Sequence, residues 1–268
     1  MFLDSYNIES DEPKNFRLLC RSNEHLGPTA GKCMKFVQTN VVFLPKTFSK
    51  DFLVFCQRNP KPCPLLEYTE TQEAEILAKD SDLYTDLPKY NILEEGQIVK
   101  TQSDISEYRS QSFDVFLLGC SFSFEQALLD NGVPVRHIEE NKNVPMYITN
   151  IQCRPAGVFK GPLVVSMRPI PSDKVSLAVQ VTGMFPAVHG APVHIGDPGL
   201  IGIRNLDEVD YGEKVTVHNN EVPVFWACGV TPMRAIIESR IPLAITHSPG
   251  HMFVTDKRNS DYSIIKQQ

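Results

Sequence analysis

Twenty of the 268 residues are proline, a share of 20/268 ≈ 7.5% against the usual ~5%. They are spread along the chain rather than gathered in one low-complexity stretch, so they punctuate it into many short elements. A coiled coil or a long-helix bundle cannot be built from such a chain. At roughly 150 residues per domain, 268/150 ≈ 1.8 allows one large domain or two small ones. With 42% hydrophobic and 22% charged residues the composition is that of a globular protein with a sizeable core, neither collagen-like nor disordered.

The formal charge of 26 − 32 = −6, with no cluster of Lys and Arg, argues against a nucleic-acid or anionic-membrane surface. Seven scattered cysteines with no CxxC pair suggest neither a disulfide framework nor a zinc ribbon, and point to a reducing compartment. Asp4, Glu9, Asp11 and Glu12 against Lys14 alone are the wrong charge pattern for a targeting peptide, so a cytoplasmic location is expected. The longest stretch without formal charge, 175–196, contains Gln180, Thr182, Pro186, His189, Pro192 and His194, and is not expected to span a membrane.

Residues 10–25 read as a weak helix, 37–44 as a strand stopped by Pro45, and Ser49 as the cap of a short helix to Cys56 with Phe52 and Phe55 inward. Three alternating prolines make 57–68 an extended loop entering a strand, and 90–100 reads as a hairpin turning at Glu95-Gly96. Further strands are expected at 146–153, 162–168, 193–195, 215–218, 222–227, 243–247 and 252–255. Helices should follow Ser172 (to about Met184) and Thr231-Pro232.

An internal similarity crosses this pattern. Residues 116–134 align without gaps on 224–242 at an offset of 108, matching Cys120 to Cys228, Ser123 to Thr231, Ala127 to Ala235 and Pro134 to Pro242. Both copies read as an apolar run, small residues with one Cys, a hydroxyl cap, a helix and then Pro; Ser123 with Gln126 has the pattern of a capping box. Any αβ protein repeats apolar-turn-helix units, so coincidence remains the alternative.

Six of the seven histidines fall in the middle and C-terminal thirds. The stretch 185–199 sets His189, His194 and Asp197 among Gly and Pro. The histidines are five apart, not the i, i+4 pair of a zinc helix, yet in a loop the set could hold a metal or act as acid and base, with Asp197 orienting His194. Turns at Ser121–Glu125 and Gly229–Thr231 would offer free backbone N–H groups to a carboxylate and favour thiolates at Cys120 and Cys228, unless both cysteines simply pack a strand-helix junction. Arg136, beside His137, and Arg168 could grip a carboxylate in bidentate fashion, with surface ion pairing as the bland alternative. His247 and His251 flank a Ser-Pro-Gly turn of binding-site character. No Walker loop, GxGxxG, HExxH or GxSxG motif occurs.

Taken in order, GPTAG (27–31), FCQRNPKPCPLL (55–66), FLLGCSFSFEQALL (116–129), VRHIEENKNVPMY (135–147), GPLVVSMRPIP (161–171), HGAPVHIGDP (189–198), VPVFWACGVTP (222–232) and ITHSPGHMFVTD (245–256) resemble the D-glutamate cyclase family, which includes many small bacterial proteins described as hydro-lyases. The resemblance implies a mixed α/β (α+β) fold, a layered αβα domain interrupted by a smaller two-layer αβ subdomain, and a lyase that eliminates water; placing the insertion between the two similar segments, where the halves of an interrupted domain would rejoin, gives 1–133 and 223–268 for the domain and 134–222 for the subdomain. Mitochondrial members that make 5-oxo-D-proline from D-glutamate carry a further C-terminal domain. On that chemistry His189 and His194 are expected as acid and base with Asp197 orienting. Arg136, Arg168 and Ser121 would bind substrate carboxylate, with Ser123, Thr231, His137 and His247 as further binding candidates. Glu125, Cys120, Cys228 and His251 are second catalytic candidates. No cofactor is expected, a metal at His189, His194 and Asp197 being the less favoured case. The expected partner is a small acidic metabolite, with a homo-oligomer left open. The rivals are a non-catalytic binder of acidic metabolites and a metal-dependent dehydratase of a hydroxy or amino acid.

Overall fold

Strand β1 (Phe36–Pro45) shows how the core is divided. All eight residues between its ends are buried, so both faces of the strand are covered. Val41 and Phe43 pack with Tyr90, Ile92, Phe113 and Val115 on one face; Val42 and Leu44 pack with Phe52, Phe55, Phe116 and Leu118 on the other. Pro45 ends the strand, having no N–H to give, and helix α2 (Lys46–Arg58) begins at the next residue. Ser49 therefore lies inside the helix rather than capping it.

The computed structural model describes residues 12–264 and is a mixed α/β fold built on two antiparallel sheets. Asp4, Glu9 and Asp11, part of the charge argument against a targeting peptide, lie outside the described residues. The larger sheet runs β2 (Leu65–Thr69), β5 (Phe113–Gly119), β1, β10 (Ala244–His247), β3 (Tyr90–Glu94), β4 (Gln97–Gln102), while β11 (Phe253–Arg258) pairs with the start of β1. Helix α1 (Pro13–Arg21) is anchored to β11 by Arg17, which donates to the Val254 carbonyl at 2.9 Å and to Asp256 at 2.8 Å. The hairpin turns at Glu95 and Gly96 as expected, both at positive φ, as a tight turn between right-twisted strands requires. The smaller sheet runs β6 (Met146–Gln152), β7 (Pro162–Pro171), β9 (Glu221–Ala227), β8 (His194–Ile195). The expected strand at 215–218 is loop, and the expected limit between residues 222 and 223 falls inside β9. Among the described residues no helix is long and apolar enough to cross a membrane.

The two sheets are built on one plan. In the first, Thr39 faces Gly119 and Pro45 faces Phe113; in the second, Val165 faces Ala227 and Pro171 faces Glu221. Shifting β1 by 171 − 45 = 126 and β5 by 227 − 119 = 108 reproduces the second register throughout, and each first strand ends in a proline followed at once by a helical turn. The offset of 108 is the one at which the two segments of sequence align. The repeat is thus structural, and the halves exchange their ends. After helices α3 (Glu125–Asp130) and α4 (Arg136–Glu139), β6 crosses to pair with β7, which leads into helix α5 (Val175–Gly183); after helix α6 (Val230–Ser239), β10 crosses back to pair with β1.

Candidate active site

The two equivalent turns meet where the halves cross. Ser123 does not cap a helix: its hydroxyl accepts the Gln38 N–H of β1 at 3.1 Å. Thr231 does the same in the other half, accepting the Val164 N–H of β7 at 3.0 Å, and 164 − 38 = 126. Both hydroxyls are buried latches between turn and neighbouring strand, not free ligands for a substrate. Gly119 and Gly229 are required by close approach, since a Cβ would lie 2.3 Å from the Ala187 carbonyl at the first and 1.9 Å from Asn40 Nδ2 at the second.

Cys120 and Cys228 begin these turns, both buried. Burial pushes the Cys228 thiol up to about 11 and raises Cys120 well above the ordinary thiol range, outweighing the backbone N–H groups of Val230 and Phe122 aimed at the sulfurs. The expectation of favoured thiolates is therefore corrected: removal from water dominates, and both pack with Phe122, Val164, Val230 and Met233.

Beside them lies a closed cluster of charge. Arg168 on β7 is fully buried. Its Nε donates to Glu125 Oε1 at 3.0 Å, its Nη2 donates to the same oxygen and to Ser121 Oγ (3.1 Å), and its Nη1 donates to Ser166 Oγ at 3.1 Å. The rings of Phe124 and Trp226 flank the guanidinium at 5.3 and 5.4 Å, each position favourable for a cation over an aromatic face. His137 Nε2 lies 3.2 Å from Glu125 Oε1, out of line for a hydrogen bond, and its ring stacks on Phe122. Burial alone would raise the Glu125 pKa, but His137 and Arg168 together outweigh it and hold the carboxyl below its ordinary value. Glu125 is thus an ionised counter-charge.

The repeat shows that the fold itself does not require this cluster. The positions equivalent to Arg168 and Glu125 in the other half are 168 − 126 = 42 and 125 + 108 = 233, and they hold Val42 and Met233, both buried. Ser121 and Ser166 correspond to Gly229 and Asn40 in the same way. One junction carries no charge, its positions holding Val42, Met233, Gly229 and an Asn40 whose amide donates to the Leu118 and Gly119 carbonyls, and the other holds a buried ion cluster, whose desolvation is costly.

His189 follows the 3-10 turn Pro186–Val188 at φ 82°, a left-handed conformation uncommon for a non-glycine residue. The Lys61 carbonyl lies 2.8 Å from its Nδ1, which fixes the proton there and leaves Nε2 buried without a partner. Burial first, then the charges of Arg168 and Lys61, lower its pKa to about 4, so the ring is a neutral base at physiological pH.

The structure does not bring His194 to this place. His194 pairs with Phe225 and rests on its ring, whereas Arg168 pairs with Val224 and lies over Trp226; successive residues of β9 point to opposite faces of the sheet. Asp197 does not orient it either, because the backbone carbonyl of Asp197 meets His194 Nε2 at 2.6 Å while the carboxylate accepts the Gly199 N–H. Among the described residues no three His, Cys, Asp or Glu side chains are grouped to hold a metal. Arg136 is already paired with Glu139 and Glu221, joining α4 to β9. His247 and His251 form part of a separate cluster described below. Sequence reasoning missed Ser166, Asn40 and Lys61. Ser166 was within reach, since it shares the period-two face of Arg168 on a strand already identified.

Residues 115–256 match the family model described as D-glutamate cyclase. Relatives named "Putative hydro-lyase" include one from Thermoanaerobacter sp. (strain X514), 55% identical over 96% of this chain and 97% of its own, one from Geobacillus kaustophilus, 52% identical over 94% and 97%, and one from Psychrobacter arcticus, 51% identical over 94% and 97%. Among solved structures, a nitrogen repressor-like protein from Methanococcus jannaschii aligns with a TM-score of 0.37 at 12% identity, covering 94% of this chain and 100% of that one, a likeness too loose to carry any argument. A family match over more than half of the chain, together with relatives above 50% identity along nearly its whole length, establishes that this protein belongs to the D-glutamate cyclase family.

Proposed function

We propose that the protein is a hydro-lyase that removes water from a small acidic substrate, D-glutamate giving 5-oxo-D-proline being the specific reaction. The observation that carries this reading is the asymmetry of the repeat: an ion cluster stands where the equivalent junction is uncharged, next to a buried imidazole with an unpartnered nitrogen. A costly departure from what the fold needs is the mark of a functional site.

In this reading Arg168, Ser121 and Ser166 hold a substrate carboxylate, and Glu125 balances the guanidinium when the site is empty. His189 Nε2 takes a proton from the substrate ammonium, and the freed amine attacks the side-chain carboxyl carbon. A C–N bond forms, a C–O bond breaks, and the two protons shed by the ammonium leave with the carboxylate oxygen as water. Attack within one folded molecule supplies proximity worth roughly 7–11 kcal/mol and asks for no second substrate.

The test is incubation of the purified protein with D-glutamate and a panel of amino and hydroxy acids, following loss of one water by mass spectrometry. His189→Gln is expected to abolish turnover and His194→Gln to leave it near wild type. Full activity in a folded His189→Gln variant would remove the proposed base. Saturable calorimetric binding of D-glutamate with no product would favour the non-catalytic binder instead.

A further inference from the structure

A second polar cluster lies outside the Arg168 site, and four separate stretches of chain build it. Thr29 donates its N–H to the Gly250 carbonyl at 2.8 Å and its hydroxyl accepts the Met252 N–H, which brings the loop after α1 against the 248–252 turn. Ser248 N–H donates to the Lys89 carbonyl at 2.9 Å, and Asn143 Nδ2 donates to the Pro249 carbonyl at 3.2 Å. These bonds gather His25, Lys89, His247 and His251, with Lys32 at the rim near His25.

The cluster has donors and positive charge but no counter-charge. His247 is 1% exposed, its Nδ1 lies 3.3 Å from the Val41 N–H, and its Nε2 is buried without a partner. Nδ1 also lies 3.4 Å from the Val41 carbonyl, so it can serve either backbone group, and once the ring takes up a proton Nε2–H is an unanswered donor. His25 Nε2 is likewise buried and unpartnered. None of the ion pairs among the described residues involves His25, Lys32, Lys89, His247 or His251. The carboxylate bonded nearest to the cluster, Glu213, is occupied by the Asn143 N–H at 2.9 Å. Five groups able to carry positive charge, two with orphaned nitrogens, are the inverse image of an oxyanion.

We propose that this junction binds a compact oxyanion, with Nε2 of His247 and His25 as donors and Lys89 as the fixed charge. It stands apart from the Arg168 cluster: Val144 and Met252, next in sequence to Asn143 and His251, pack with Cys120 and Phe122 in an apolar wall against which both sites back. Binding is coupled to proton uptake. Burial and the neighbouring cations hold His247 and His251 at about 4, so the empty cluster is neutral at its rings near physiological pH, and an anion stabilises their charged forms.

Sulfate is the probe of choice, because its charge does not change across the range where histidines titrate. Isothermal titration calorimetry of the full chain with sulfate, at about pH 7.5 and about pH 5.5, should show saturable binding that tightens by up to about tenfold per pH unit for each proton taken up. Lys89→Met and His247→Gln should abolish it, and His194→Gln, on the far sheet, should not. Absence of saturable binding at both pH values would overturn the proposal, as would unchanged binding in Lys89→Met. Lys89 is half-buried, so that variant decides the matter even where His247→Gln fails to fold.

Discussion

If the Arg168–Glu125 cluster serves function rather than folding, its removal must cost stability in one step and return it in the next. Arg168→Met leaves the Glu125 carboxylate 1% exposed with only His137 nearby, and Glu125→Met leaves a fully buried guanidinium with two serine hydroxyls. Breaking one side of such a pair costs about 3–5 kcal/mol. The double variant removes both charges and fills the space with unbranched apolar side chains, the equivalent positions in the other half holding the apolar Val42 and Met233, and should lie within about 2 kcal/mol of wild type. The double-mutant cycle then gives a coupling of roughly 4 kcal/mol or more at neutral pH, read from urea unfolding curves monitored at Trp226, which packs on the cluster. The pH dependence has a definite sign. Glu125 is held below its ordinary pKa, so the stability that it lends is present above the ordinary carboxylate pKa and is lost as pH falls through its folded value. Single variants costing under about 1 kcal/mol, or a coupling near zero, would refute the reasoning.

Three further outcomes follow from the geometry. Gly229→Ala drives a methyl group into the Asn40 amide and should cost about 1–3 kcal/mol by denaturant unfolding, most of it recovered in Asn40→Ala/Gly229→Ala. His189 and His247 sit at about 4 when folded and near the ordinary 6.5 when unfolded, so the unfolded chain binds protons first. Stability is therefore full above about pH 6.5 and falls towards pH 4 by up to about 1.4 kcal/mol per pH unit for each ring, a slope that His247→Gln should lessen in pH-dependent unfolding. Cys120 and Cys228 should alkylate with iodoacetamide at pH 7 far more slowly than a free thiol, and only as fast as the protein opens, with mass spectrometry of the labelled peptides as readout.

Short-range signals carried much of the architecture. Pro45 and the Glu95-Gly96 turn act through their own backbone restrictions, so the end of β1 and the tip of the β3–β4 hairpin could be read directly, whereas β7, expected to stop at residue 168, runs on to Pro171. The hydroxyls misled. Ser49, Ser123 and Thr231 all precede apolar helical patterns, yet Ser123 and Thr231 bind strands 85 and 67 residues away in sequence, a partner that no local pattern reveals. Arg168 was found, but its pairing with Glu125 spans 43 residues and depends on strand exchange. His189 and His194 looked like one site because they are five residues apart; a two-residue strand that turns its alternate side chains to the other face separates them.

The exchange of ends also bears on how the chain is made. β1 is complete by residue 45, yet the strands that cover its other edge, β10 and β11, begin at residues 244 and 253, the first of them 244 − 45 = 199 residues later. Until those residues emerge the nascent chain therefore presents an unsatisfied, valine-rich ribbon to the ribosome exit and the surrounding solution, a template for wrong pairing between neighbouring polypeptides. Folding of the larger sheet has to wait for those two strands, and expression under conditions that slow elongation without chaperones should lengthen that exposure and lower the soluble yield.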